Sequence, residues 1–179
     1  IRRLRKSMRT CVILNPEAGS GNSVALVRRA MARLPNAELR ESDAPASLEP
    51  LVRQAVADGF RRIVAAGGDG TVSAVASALL AAGGGQPVYE CGILPIGTGN
   101  DLALALGIPL ELEKAAEILS SGSARKVDVI ECRAVERAGA SPLESQAWNA
   151  IVGGFGGSVS THPTPAQKRR WRRFAYLRA

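Results

Sequence analysis

Two glycine-rich stretches decide the fold of this chain: Gly67-Gly68-Asp69-Gly70-Thr71 and, about thirty residues later, Gly97-Thr98-Gly99-Asn100-Asp101. Each stretch directly follows a short apolar run, at 63–66 and 91–94, and bounded runs of that length are typical of buried strands. The glycines let the backbone turn sharply and approach a ligand closely. Each turn also carries a carboxylate. Two such loops at strand ends predict a phosphate site with a metal or proton-transfer function.

The segment after the first loop has the pattern of a helix. Thr71 is predicted to be its N-cap, because a threonine hydroxyl can accept a hydrogen bond from the first turn. The apolar stripe that follows has helical spacing and consists of Val72, Val75, Ala76, Leu79 and Leu80. The N–H groups and dipole at this helix start favour anion binding. The alternative is a tight turn with a capping threonine and no ligand.

Strands and helices alternate along most of the chain. Strands are predicted at 10–14, 37–41, 62–66 and 91–94, and helices at 24–34, 48–57, 111–119 and from Thr71. This alternation with short connections predicts an α/β fold with a parallel sheet, assigned to a domain at 8–123. Ligands then bind beyond the carboxyl ends of the strands, where the loops that start at Asn15, Gly67 and Gly97 lie.

The pattern changes after Gly122. Residues 126–132 and 147–152 read as two strands around a polar turn, which predicts a hairpin that opens a second, β-rich domain at 124–179. Residues 165–179 are predicted to form a basic helix. An unpaired hairpin leaves open strand edges, which favour association, so we expect a homodimer.

The net charge of +7 is concentrated at the two ends of the chain. Residues 1–10 hold five Lys or Arg, residues 167–179 hold six, neither segment has an acidic residue, and the region between is net negative. A nucleic-acid-binding protein would spread basic and aromatic side chains over the fold, so no nucleic-acid partner is expected. The ends are either solvated charge runs or segments attracted to an anionic membrane surface.

The three cysteines lack C-x-x-C spacing, which favours reduced thiols and a cytoplasmic setting. The only histidine, His162, lies between Thr161 and Pro163, and one histidine argues against a Ser-His-Asp triad. Because no apolar run approaches 18 residues, no membrane span is expected. The N-terminus has no apolar segment typical of a signal peptide.

Other phosphate-binding motifs are incomplete. A Walker A loop requires a Gly-Lys pair, and none occurs in the chain. A dinucleotide fingerprint begins at Gly19-Ser20-Gly21 but lacks its third glycine, which argues against a classical dehydrogenase.

The motifs together resemble the diacylglycerol kinase catalytic domain family, and more narrowly the bacterial lipid kinases related to sphingosine and ceramide kinases. The Gly67–Thr71 loop alone also resembles NAD kinases and phosphofructokinases. The segment Leu94-Pro95-Ile96-Gly97-Thr98-Gly99-Asn100-Asp101 is similar to the lipid branch. The resemblance begins at Asn15-Pro16 and continues through 125–128 and 148–156.

The resemblance implies ATP-dependent phosphorylation of a lipid hydroxyl, with diacylglycerol favoured and Mg²⁺ as cofactor. It implies that Asp69, Asp101 and Asp128 form an acidic network around the reacting phosphate, with the metal at Asp69 and Asp101. The residues it implies for nucleotide binding are Asn15, Pro16, Glu17, Ala18, Gly19, Ser42, Gly67, Gly68, Asp69, Gly70, Thr71, Val72, Ser73 and Thr98.

Two alternatives remain: phosphorylation of a nucleotide as in NAD kinases, and a non-catalytic module that binds nucleotide or lipid. In the family this chain resembles, a β-rich C-terminal domain supplies the general base and a further magnesium site. We therefore expect the 179 residues alone to bind nucleotide but to lack activity. We expect the protein to be cytoplasmic and peripheral to the membrane, where its lipid substrate lies.

Overall fold

A four-stranded parallel sheet forms the centre of the structure. The computed structural model describes residues 8–19, 22–133 and 144–148. The strands are paired in the order β2-β1-β3-β4, and they are β1 (Thr10–Leu14), β2 (Ala37–Glu41), β3 (Arg62–Gly67) and β4 (Glu90–Pro95). The predicted α/β class is confirmed.

Five α-helices among the described residues connect these strands or follow them. A 3₁₀ turn at Pro45–Ser47 precedes the second helix. The helices are α1 (Ser23–Met31), α2 (Leu48–Ala57), α3 (Asp69–Ala82), α4 (Asp101–Ala105) and α5 (Leu112–Ser121).

The helices cover both faces of the sheet. Because side chains of a strand alternate between the two faces, each buried strand contributes to both helix-covered clusters. Cys11 and Ile13 of β1 belong to the cluster formed with α2, α3 and α4. Val12 and Leu14 belong to the opposite cluster, formed with α1 and α5. All four side chains are fully buried. The fold is therefore a three-layer sandwich, with the central strands β1 and β3 buried on both faces.

A buried ion pair joins three elements at the amino end of β3. Arg62 is 7% exposed and donates from Nε and Nη2 to Glu90 Oε2, at 2.9 and 2.8 Å. Its Nη1 donates to the carbonyl of Leu119, at 2.8 Å, in the last turn of α5. Arg62 therefore links β3, β4 and α5 on the side of the sheet opposite the glycine-rich loops.

The structure differs from the predicted elements at three places. Thr71 is not an N-cap, because α3 begins at Asp69 with Gly68 as the N-cap. The short helix α4 was not predicted. The hairpin is confirmed as antiparallel but its bounds differ, since β5 (Ile130–Arg133) starts later than the predicted 126–132 and β6 (Glu144–Ala147) starts earlier than the predicted 147–152.

The hairpin is attached to the sandwich by Trp148. Its indole Nε1 donates a hydrogen bond to Ser77 Oγ in α3, at 2.8 Å. Residues 149–152, His162, the basic segment 165–179 and residues 1–7 lie outside the described residues. The division at 123 and 124 stays a prediction. No helix within the described ranges has the length and apolar character to cross a membrane.

Candidate functional site: three loops at the carboxyl edge of the sheet

The loops after β1, β3 and β4 meet at one edge of the sheet. Because β1 leads outward to β2 while β3 leads outward to β4, the strand order reverses between β1 and β3. Open α/β sheets bind ligands beyond the carboxyl ends of the strands at such a reversal. The predicted placement of these loops on one edge is therefore what the topology produces.

Asn15 connects the first loop to the helix after β3. Its backbone amide donates to the carbonyl of Ala66, at 3.0 Å. Its side-chain Nδ2 donates to Thr71 Oγ1, at 3.2 Å, and its Oδ1 accepts from the amide of Glu17, at 3.0 Å. The oxygen and the nitrogen of the Asn15 carboxamide therefore both form hydrogen bonds within the site. Since the Thr71 hydroxyl accepts one of these bonds, its own hydrogen remains able to donate to another group.

The loop after β3 ends at the exposed start of a long helix. Gly68 is the N-cap of the 14-residue α3, in an extended conformation, and no side chain caps it. The amide of Val72 donates to the carbonyl of Gly68, at 3.0 Å, as the first helical bond. The preceding amides of the first turn and the helix dipole therefore suit a phosphate.

The loop after β4 packs directly on the other two. A Cβ on Gly97 would overlap Gly68 Cα, so only glycine permits this approach of the two backbones. Gly19 has a φ of +79°, and a Cβ there would overlap the carbonyl oxygen of Ile96. Glycine is required at both positions because the three loops share one small volume.

Asp69 and Asp101, the two predicted metal-binding carboxylates, both lie close to Gly99. Asp69 Oδ1 accepts a hydrogen bond from the amide of Leu102 in α4, at 3.0 Å. A Cβ on Gly99 would lie 3.1 Å from Asp69 Oδ2 and 3.6 Å from Asp101 Oδ1. The structure therefore brings together the two acidic loops that are about thirty residues apart in the sequence.

Ser42 lies at the same edge, after β2. Its amide donates to the carbonyl of Leu14, at 2.8 Å. The residue is 3% exposed, and its buried Oγ has no hydrogen-bond partner among the described residues. Burying a hydroxyl without a hydrogen-bond partner costs free energy. A polar group of a ligand could supply the hydrogen bond that the Ser42 hydroxyl lacks.

The other implied nucleotide residues divide into accessible and buried ones. The side chain of Val72 is 4% exposed and packs in the core between sheet and helices, so only its backbone is left for a nucleotide, and its implied role stays a prediction. Ser73 and Thr98 are half-buried in α3 and in the loop after β4. Within the first loop, Pro16 and Ala18 are half-buried and Glu17 is exposed.

Asp128 lies exposed in the irregular segment between α5 and β5. The implied role of Asp128 therefore stays a prediction.

A separate cavity of about 570 Å³ lies between α2, α3 and the hairpin. Its lining includes Ala74 and Ser77 of α3 and Gln146 of the hairpin. None of the predicted site residues lines it, so the loops form a different surface.

Sequence reasoning missed Asn100 as a structural part of the site. Asn100 has left-handed backbone angles and is 7% exposed. An asparagine directly before an Asp-Leu-Ala-Leu run could have indicated it, since Asn tolerates that conformation and favours helix starts.

Glycine-rich loops at a switch point, a helix start without a side-chain cap and two nearby carboxylates form an α/β domain whose loop edge suits a phosphate-bearing ligand. The diacylglycerol kinase catalytic domain model matches residues 9–132. The chain belongs to the diacylglycerol kinase catalytic domain family.

Curated relatives are named as lipid kinases. The chain is 35% identical over 130 residues to a "probable lipid kinase YegS-like" protein of Xanthomonas euvesicatoria, covering 72% of this chain and 40% of the relative. It is 39% identical over 127 residues to a protein of that name from Pseudomonas syringae, covering 71% and 37%. The chain thus spans well under half the length of these relatives.

A solved structure shares the fold. A diacylglycerol kinase from Bacillus anthracis superposes with a TM-score of 0.58 and 25% identity, over 68% of this chain and 42% of that one.

Proposed function

We propose that this chain is the nucleotide-binding part of an ATP-dependent lipid kinase that phosphorylates diacylglycerol. The observation that carries the proposal is that Asp69, at the start of α3, and Asp101, at the start of α4, both approach Gly99, with Asp69 held by the hydrogen bond from Leu102. In the reaction, the γ-phosphoryl group passes from ATP to the lipid hydroxyl, the hydroxyl loses its proton, and ADP leaves. Such chemistry depends on positioning and on neutralising phosphate charge.

The charge of the loops supports a magnesium requirement. The loop segments 15–19, 42–43, 67–73 and 96–101 contain four acidic residues and no Lys or Arg. A polyphosphate would meet repulsion there unless a cation intervened. Mg²⁺ is commonly held by one or two carboxylates together with substrate phosphates and water. Within the described ranges no cluster of three or more His, Cys, Asp or Glu could hold a metal, so Asp69 and Asp101 would share the ion with the nucleotide.

The nucleotide would extend from the start of α3 toward β2. The open amides of α3 would hold phosphate, with the Thr71 hydroxyl as a further donor. The unpartnered Ser42 Oγ would pair with a polar group of the nucleoside. The half-buried Thr98 faces the same edge from the loop after β4.

Diacylglycerol is the proposed acceptor because the family and the Bacillus anthracis structure are named for it. By the same resemblance the general base would come from a C-terminal β-rich domain. We therefore propose that the 179 residues alone bind ATP without completing transfer, and that the intact protein works as a homodimer at the cytoplasmic membrane surface.

The experiment has two arms. Calorimetric titration with ATP should give binding that depends on Mg²⁺, and Asp69→Asn should weaken it. The intact protein, offered labelled ATP with diacylglycerol and NAD in parallel, should label diacylglycerol. Labelling of NAD alone would make it a nucleotide kinase, and no ATP binding with or without Mg²⁺ would overturn the kinase proposal.

A further inference from the structure

The side chain of Asn100 closes the loop after β4 on itself. Its Oδ1 accepts a hydrogen bond from the amide of Gly97, at 2.9 Å, and its Nδ2 donates to the carbonyl of Gly97, at 2.8 Å. A carboxamide provides the neutral donor and acceptor that this pairing needs. Asn100 adopts φ 59° and ψ 38°, a left-handed conformation that Asn tolerates better than most residues.

The loop that Asn100 closes contains or adjoins three residues of the site. Gly97, which Asn100 holds, is the residue that packs on Gly68 at the start of α3. Thr98 lies inside the closed loop, and Asp101 follows Asn100 directly as the first residue of α4. Because Asn100 is 7% exposed and both of its polar atoms contact Gly97, it acts through this loop.

We propose that Asn100 is a positioning residue for nucleotide binding, which sets the place of Thr98 and Asp101 relative to the start of α3. This inference rests on the proposed function. Without the two hydrogen bonds, the loop gains freedom that nucleotide binding would have to remove, and part of the affinity is lost as conformational entropy.

Two substitutions separate positioning from stability. Asn100→Gly removes both hydrogen bonds and adopts the left-handed conformation without steric cost. Asn100→Asp keeps the acceptor for the Gly97 amide but places a carboxylate oxygen against the Gly97 carbonyl.

Asn36 provides the matched control. It is the other non-glycine residue with a positive φ among the described residues, at 68°. It is exposed and precedes β2, at the opposite edge of the sheet. Asn36→Gly therefore makes the same backbone change away from the site.

The measurements are the Kd for Mg·ATP by calorimetry on the intact protein and the amide exchange of Gly97 by NMR. We expect both Asn100 variants to bind about tenfold more weakly, with faster Gly97 exchange in Asn100→Gly, and Asn36→Gly to match the wild type. Faster Gly97 exchange with an unchanged Kd would overturn the positioning role and leave the kinase proposal standing. A wild-type protein that binds no ATP would overturn both.

Discussion

Asp69 accepts a hydrogen bond from the backbone amide of Leu102, at 3.0 Å, and so joins the helix after β3 to the helix after β4. One Asp69 oxygen is therefore occupied by the protein, while the other lies beside Gly99, which the Asp101 carboxylate also approaches. This division gives Asp69 two separable functions: holding α4 in place and carrying negative charge for a cation.

Asp69→Asn tests this separation, because an asparagine Oδ1 can still accept from Leu102 while the charge is lost. We expect kinase activity of the intact protein to fall by two orders of magnitude or more, with a melting temperature near that of the wild type. Asp69→Ala also removes the hydrogen bond from Leu102, so it should lower both the kinase activity and the melting temperature. Full activity in Asp69→Asn would contradict a charge-bearing role for this carboxylate.

Gly97→Ala should damage the site through the backbone. An alanine Cβ would overlap Gly68 Cα, so the loops after β3 and β4 must separate. We expect nucleotide affinity to fall at least tenfold, measured by calorimetry. Gly70→Ala is a comparison for folding alone, because Gly70 is itself an implied nucleotide-binding residue, while a Cβ there meets nothing within 4 Å. Gly70→Ala should leave the fold intact by circular dichroism and thermal melting.

Arg62→Met should destabilise the fold without touching the site. The substitution removes the Arg62 guanidinium, which forms the ion pair with Glu90, and the Glu90 side chain is only 22% exposed. Breaking a largely buried pair costs about 3 kcal/mol, measurable by urea unfolding. The exposed pair of Arg53 and Glu49 is the comparison, and Arg53→Ala should cost under about 0.5 kcal/mol. Equal losses in the two variants would contradict the importance of burial.

Cys11 should make stability fall at high pH. Burial raises the pKa of the Cys11 thiol to about 11, above its value in an unfolded chain. The protonated thiol therefore favours the folded state below the unfolded pKa, and this contribution is lost as pH rises through about 11. Between pH 9 and 11 we expect the unfolding free energy to fall more steeply in the wild type than in Cys11→Val. Parallel slopes in the two proteins would show that Cys11 does not contribute.

The basic ends of the chain should direct it to anionic lipid. Each Lys or Arg near such a surface contributes about 1 kcal/mol, screened by salt. Binding to vesicles, measured by sedimentation, should rise with phosphatidylserine content and fall steeply with salt. Glutamine at the basic positions of 168–173 should weaken it. Binding that is insensitive to lipid charge and salt would mean that the ends are merely solvated.

The sequence by itself determined the elements whose signal is local. The strand at Thr10–Leu14 and the helix at Leu48–Ala57 have the bounds that their apolar patterns predict, and the half-exposed edge strand Ala37–Glu41 also has its predicted bounds. A buried parallel strand needs a short apolar run, and a helix needs a stripe of period 3.6, so both can be recognised without knowing their neighbours. The α/β class and the placement of the acidic loops at one edge follow from the order of these elements.

Only the tertiary structure decided how the loops are connected. Thr71 looks like a helix cap in the sequence, but it accepts a hydrogen bond from Asn15, 56 residues earlier. The five-residue α4 is too short to have a helical pattern, and its start is held by Asp69 from another loop. The polar strand Glu144–Ala147 is set by pairing with β5. These contacts join residues far apart in the chain, and their energies depend on packing that no local pattern contains.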